Sequence, residues 1–70
     1  MSLQFVEHWD NRDGWRLEVH RSGITIGNVR RNPISKDYGY FHGPINIITP
    51  CREDRDRASL KAWVESTYGR

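Results

Sequence analysis

Three histidines and one cysteine are the side chains of this 70-residue chain best equipped for metal or nucleophilic chemistry. His8, His20 and His42 stand 12 and 22 residues apart, and Cys51 is the sole cysteine. Zinc sites normally show close ligand pairs such as C-x2-C or H-x3-H, because neighbouring ligands must converge on one ion. No such pair occurs, so the sequence predicts neither a metal centre nor a cofactor. Cys51 with His42 as its base would be the minimal nucleophilic pair, and a helix N-terminus beside the thiol would favour its thiolate. A chain this short leaves little room for the pocket that such chemistry needs. No Gly-rich phosphate loop precedes a helix, and no carboxylate pair has a recognisable catalytic setting. The chain therefore reads as a non-enzyme without an evident small-molecule substrate, with Cys51 a structural thiol.

The basic side chains carry more information once the elements that hold them are placed. From Trp15 to Val19 the apolar residues Trp15, Leu17 and Val19 alternate with Arg16, Glu18 and His20, the period-two pattern of a half-buried strand. Ser22-Gly23 is a connection of the kind that closes tight hairpins. A returning strand over 24–31 puts Ile26 beside Val19 on the apolar face. Its apolar positions run Ile24, Ile26 and then Val29, and one extra residue at Gly27-Asn28 would return Val29 to the buried side, which predicts a β-bulge. On the opposite face lie Arg16, His20, Thr25 and Arg30, with Glu18 in their midst. Arg21 and Arg31 stand near the margins of that face and Lys36 on the next loop. His8 also falls on the polar side of its strand.

The remaining elements follow from the same rules. Leu3, Phe5 and Trp9 alternate with Gln4 and His8, which predicts a first strand over 3–9. Asp10-Asn11-Arg12-Asp13-Gly14 is turn chemistry. Asn32-Pro33 ends the third strand, since proline donates nothing to a ladder. A fourth strand is expected over 38–42, continued by the aromatic and apolar run through Pro44 and Ile45-Asn46-Ile47-Ile48. Thr49-Pro50 reads as a helix start, with Glu53, Asp54 and Asp56 near the positive end of the dipole. Leu60, Trp63, Val64 and Thr67 then follow the i, i+3, i+4, i+7 spacing of one buried stripe, and Gly69 ends the helix. In this reading Arg52 to Arg57 is a helical face of alternating sign, with Glu53–Arg57 and Arg52–Asp56 four apart. The fold class is α+β, an antiparallel sheet of three or four strands with one C-terminal α-helix on one face, forming one domain over 1–70. Its expected core is Trp15, Leu17, Val19, Ile26, Val29, Leu60, Trp63 and Val64.

Composition narrows the functional classes. A core of this size rarely supplies more than about 3–5 kcal/mol, and the three Trp, three Tyr and two Phe provide large buried area per residue. One cysteine makes no internal disulfide, which favours a reducing compartment. The first ten residues resemble no signal peptide, and no apolar run approaches the roughly 20 residues of a membrane span. The expectation is a cytoplasmic protein without a membrane partner. Eleven Lys and Arg against nine Asp and Glu give a net charge of +2. Residues 1–37 hold six basic and five acidic groups and the rest hold five and four, so neither half is strongly basic.

The W-x-L-x-V strand of Trp15, Leu17 and Val19, the glycine hairpin, the returning strand and the helix Ser59-Leu60-Lys61-Ala62-Trp63-Val64-Glu65 together resemble the three-stranded-sheet-plus-helix DNA-binding domains. AP2-type domains and the arm-binding N-terminal domains of tyrosine integrases belong to this class. The resemblance covers about residues 14–31 and 58–65. It implies that the exposed sheet face reads duplex DNA in the major groove with the helix packed behind. Arg16, His20, Thr25 and Arg30 would then be the readers, with Arg21 and Arg31 beside them. A protein partner is the competing class, for a small inhibitor or adaptor of the kind mobile elements encode. Tyr38, Tyr40 and Phe41 would form its aromatic patch, and Arg52 and Arg55 its charged helical face.

Overall fold

The computed structural model describes residues 3–11, 14–44 and 48–69. The Arg12-Asp13 portion of the expected first turn and residues 45–47 of the expected apolar continuation lie outside them. β1 (Gln4–Asp10), β2 (Gly14–Arg21), β3 (Ile24–Arg31), β4 (Tyr38–His42) and β5 (Arg52–Asp54) form one antiparallel sheet in sequence order, followed by α1 (Arg57–Tyr68). The class is α+β with a C-terminal helix on the sheet, as the pattern predicts. The sheet has five strands, however, rather than three or four.

The fifth strand occupies residues that the charge pattern assigns to a helix. Pairing of Tyr38 with Asp54, Gly39 with Glu53 and Tyr40 with Arg52 makes Arg52–Asp54 an edge strand. The helix begins later, at a cap built from Asp56. Its carboxylate accepts from the Ala58 backbone N–H at 3.2 Å and from the Ser59 hydroxyl at 2.8 Å. The Asp54 carboxylate accepts from the Asp56 N–H at 2.8 Å and so sets the turn in front of it. Thr49 and Pro50 therefore start no helix. The four-apart pairing of Arg52 with Asp56 and of Glu53 with Arg57 has no helix to support it.

The β2–β3 hairpin turns at Ser22 and Gly23, with φ of 53° and 79°. Two consecutive positive φ values match the right-handed twist of the strands they join. The predicted bulge exists one residue earlier than expected. Val19 pairs with Gly27 and His20 with Thr25, so Ile26 is the extra residue. From Gly27 to Arg31 the ladder is regular, and Gly27 is not among the positive-φ glycines. Its lack of a side chain has another cause: a Cβ there would collide with the Tyr40 phenol and the Phe41 carbonyl.

The core lies between α1 and one face of the sheet. Leu3, Leu17, Val19, Val29, Tyr40, Leu60 and Val64 are buried, with Phe5, Trp15, Ile26, Tyr38, Trp63 and Tyr68 packed around them. Aromatic edges tile this layer. Trp63 meets Tyr40 at 6.2 Å and Tyr68 at 6.1 Å, both edge-on, and Trp15 meets Tyr38 at 5.7 Å. Cations roof the exposed rims of the rings: Arg57 over Trp15, Arg52 over Trp63 and Lys61 over Phe5. No helix among the described residues is long and apolar enough to cross a membrane.

Candidate nucleic-acid interface

Strand alternation sends the other half of the side chains away from the helix. Register aligns them in rows across this outer face. His8, Arg16, Arg30, Gly39 and Glu53 form one row, and Val6, Glu18, Asn28 and Phe41 the next. The bulge at Ile26 brings Thr25 opposite His20 and thus keeps it on the outer face. The structure accordingly brings together four of the sequence-predicted readers, Arg16, His20, Thr25 and Arg30.

Glu18 is the hub of that group. One carboxylate oxygen, Oε1, lies 3.0 Å from His20 Nε2 and 3.1 Å from His8 Nε2. The His8 contact is close enough for an ion pair but off the hydrogen-bond direction. Oε2 accepts from Arg16 at 3.2 Å. Thr25 Oγ1 reaches His20 Nε2 at 3.5 Å, completing the chain of contacts. The His20 hydrogen bond, helped by Arg16 and His8 against a desolvation cost, holds the Glu18 carboxyl below its ordinary value. No group of three His, Cys, Asp or Glu side chains among the described residues is arranged to hold a metal ion.

Arg30 differs from Arg16. It lies directly across the strand pair from Arg16, yet among the described residues its guanidinium has no hydrogen-bond or ion-pair partner, and its Nε is shielded from water. Like charges set directly opposite on a sheet repel, and an unpaired polar atom away from water carries a desolvation cost. Both penalties fall on this one residue.

Arg21 and Arg31 take the other side. Arg31 alternates with Arg30, lies over the Tyr38 ring at 5.7 Å and sends Nε to the Lys36 carbonyl at 3.5 Å. Arg21 shares the face of Val19 at the hairpin end. Neither joins the Arg16–Arg30 row. The aromatic segment is likewise divided. Tyr40 is fully buried, Tyr38 packs against the core, and only Phe41 faces outward, so the three rings form no common patch. Arg52 is stacked on Trp63, while Arg55 projects into solvent 3.7 Å from Asp37. With no helix through 52–56, the charged helical face that Arg52 and Arg55 were to share is absent.

Cys51 and His42 lie in one neighbourhood, both beside Tyr68. The Cys51 N–H donates to the Tyr40 carbonyl at 2.7 Å. His42 stacks on Tyr68 at 4.5 Å and shares a 2.9 Å hydrogen bond between its Nδ1 and the Tyr40 hydroxyl. Burial, with Tyr68 and Cys51 nearby, pushes the Tyr40 phenol far above its ordinary value of 10.0.

Comparison with known proteins finds no matching family model, no matching curated protein and no matching solved structure. Function must therefore be argued from this surface alone. One part of it was missed by the sequence reading: a groove of about 390 Å³ whose lining includes Arg30, Asp37, Gly39, Phe41, Pro50 and Glu53. Its signal was Gly39 itself, a glycine inside a strand, where backbone or ligand often approaches closely.

Proposed function

We propose that this protein binds nucleic acid through the outer face of its sheet. The observation that carries the reading is Arg30, a guanidinium with no partner among the described residues, set opposite Arg16 on a face the helix does not cover. An arriving phosphate or base edge would relieve both penalties at once, because arginine presents a planar fork of donors matched to such acceptors. His20 and Thr25 add polar groups beside Arg16. Glu18 orients Arg16 and both histidines while limiting the positive charge of the face. The rival reading, a protein partner held by an aromatic patch, is weakened by the burial of Tyr40.

The test is fluorescence anisotropy with labelled duplex and single-stranded oligonucleotides at about 50 and 200 mM salt. Binding should weaken as salt rises. Arg30→Ala should reduce affinity by about 1–3 kcal/mol if it meets a base, or lower the salt slope by about one if it meets a phosphate. Failure of both oligonucleotide forms to bind in low salt overturns the reading.

A further inference from the structure

We propose that His8 and His20 set the sign of the outer face, so that nucleic acid is bound more tightly as pH falls from about 8 to about 5.5 and is released as pH rises. This rests on the nucleic-acid reading and names the regulation of that same site. The geometry begins with Glu18, whose Oε1 is shared by two imidazoles, 3.0 Å from His20 Nε2 and 3.1 Å from His8 Nε2. All three side chains are partly shielded from water, where salt screens charge least. A second observation is the charge of the face itself. β1 contributes His8 and Asp10, β2 contributes Arg16, Glu18 and His20, β3 contributes Arg30 and β5 contributes Glu53. β4 adds Gly39 and Phe41, which do not titrate, and Asp37 beside it is paired with Arg55 at 3.7 Å. Two arginines thus stand against three carboxylates, and the imidazoles decide the balance. Neutral, they leave one negative charge in excess; both protonated, they leave one positive charge.

A polyanion meets a different surface in each state. Above the histidine range, Arg16 and Arg30 must hold phosphates against the repulsion of Asp10, Glu18 and Glu53. Below it, two further cations stand on the face, His8 in the row of Arg16 and Arg30 and His20 opposite Thr25, and each can neutralise another phosphate. Glu18 does not share in this change. The His20 hydrogen bond, aided by Arg16 and His8 against a desolvation cost, holds its carboxyl below the ordinary value, so it stays ionised throughout. Glu18 instead keeps both rings on the face, and the charge they gain arises beside Arg16. His42 provides the contrast. It lies on the helix side, stacked on Tyr68 at 4.5 Å and bonded to Tyr40, so its protonation leaves the outer face unchanged.

The experiment is fluorescence anisotropy with a labelled thymidine oligonucleotide at about pH 8 and about pH 5.5, each over a salt series. Thymine takes up no proton in this range, so a change of affinity belongs to the protein, and circular dichroism verifies the fold of every variant at both pH values. At about 0.1 M salt, binding should tighten about tenfold at the lower pH, and the salt slope should steepen by roughly one, as two added phosphate contacts imply for a single strand. The double variant His8→Gln, His20→Gln should abolish the difference between the two pH values, because glutamine keeps a donor for Glu18 and takes no proton. Each single variant should retain part of the difference, and His42→Gln should retain all of it. Equal affinity at both pH values overturns the switch and leaves nucleic-acid binding standing. A difference that survives in the double variant, or that disappears in His42→Gln, overturns the switch as well. No binding at either pH in low salt overturns the nucleic-acid reading itself, and the switch falls with it.

Discussion

At the residue scale, Gly27 and Tyr40 are one device. The phenol of Tyr40 crosses the backbone of β3 where a side chain would otherwise stand, and its hydroxyl continues to His42. Gly27→Ala should destabilise the fold by about 1–3 kcal/mol through overpacking, a large share of what a core this small provides. Tyr40→Phe in the Gly27→Ala background should recover part of that loss, because the hydroxyl is among the atoms the new methyl strikes. Urea denaturation of the two single variants and the double variant closes the cycle; strict additivity would show that the two residues do not share space. The same phenol makes stability pH-dependent. Burial raises Tyr40 and, more weakly, Tyr68 above the ordinary phenol value of 10.0. The unfolded chain then releases phenolic protons at lower pH than the folded one. Their stabilisation is fully present below the unfolded value and is lost as pH climbs from there toward the folded values. Urea midpoints should fall as pH rises above 10.0, and Tyr40→Phe should flatten that fall to the part contributed by Tyr68. An unchanged slope in Tyr40→Phe would place the phenol in water.

At the element scale, the cap decides where the last helix begins. Asp56 holds the Ala58 N–H and the Ser59 hydroxyl, and those bonds keep its carboxyl below the ordinary value. Asp56→Ala should lower the melting midpoint, Asp56→Asn should retain most of the capping, and Thr49→Ala should leave the midpoint unchanged. Thermal melts by circular dichroism check the ranking; a Thr49 effect as large as that of Asp56 would contradict the late start. This boundary also shows which parts of the molecule the sequence disclosed. β2, β3, β4 and the buried stripe of α1 were legible because each carries its own hydrophobic period over a turn or more. β5 was not. Three charged residues have no period, and they form a strand only because Cys51 N–H meets the Tyr40 carbonyl and Arg52–Asp54 follow it along β4. Local acidity before an apolar stripe pointed to a helix, and tertiary pairing overrode it. The bulge was legible as a break in phase, but it falls at Ile26, one residue before the position the break suggested. The outer-face row of Arg16 and Arg30 could be read from alternation. The groove could not, since Glu53 reaches it only through the unforeseen fifth strand.

At the scale of the whole molecule, net charge is too small to account for the proposed nucleic-acid binding, so the proposal rests on the arrangement of the charges. A net charge of +2 gives weak, diffuse attraction, which salt near physiological strength screens beyond about 8 Å. A surface that binds under those conditions must place its cations where the phosphates or bases arrive. Two substitutions separate the possibilities, because each removes one positive charge, adds one negative charge and brings the net charge to zero. Arg30→Glu alters the row beside Arg16 and the groove. Arg55→Glu alters a side chain that is 92% exposed and held only by a 3.7 Å contact to Asp37, a pair of the kind that contributes little to stability. If binding were a property of total charge, the two variants would lose affinity equally and show the same salt slope. If the outer sheet face is the binding surface, Arg30→Glu should abolish measurable binding near 0.15 M salt, while Arg55→Glu should remain within about threefold of the parent, with most of its change in the association rate. Equal losses would move the interface away from the sheet. A larger loss in Arg55→Glu would place it at the turn between β5 and α1.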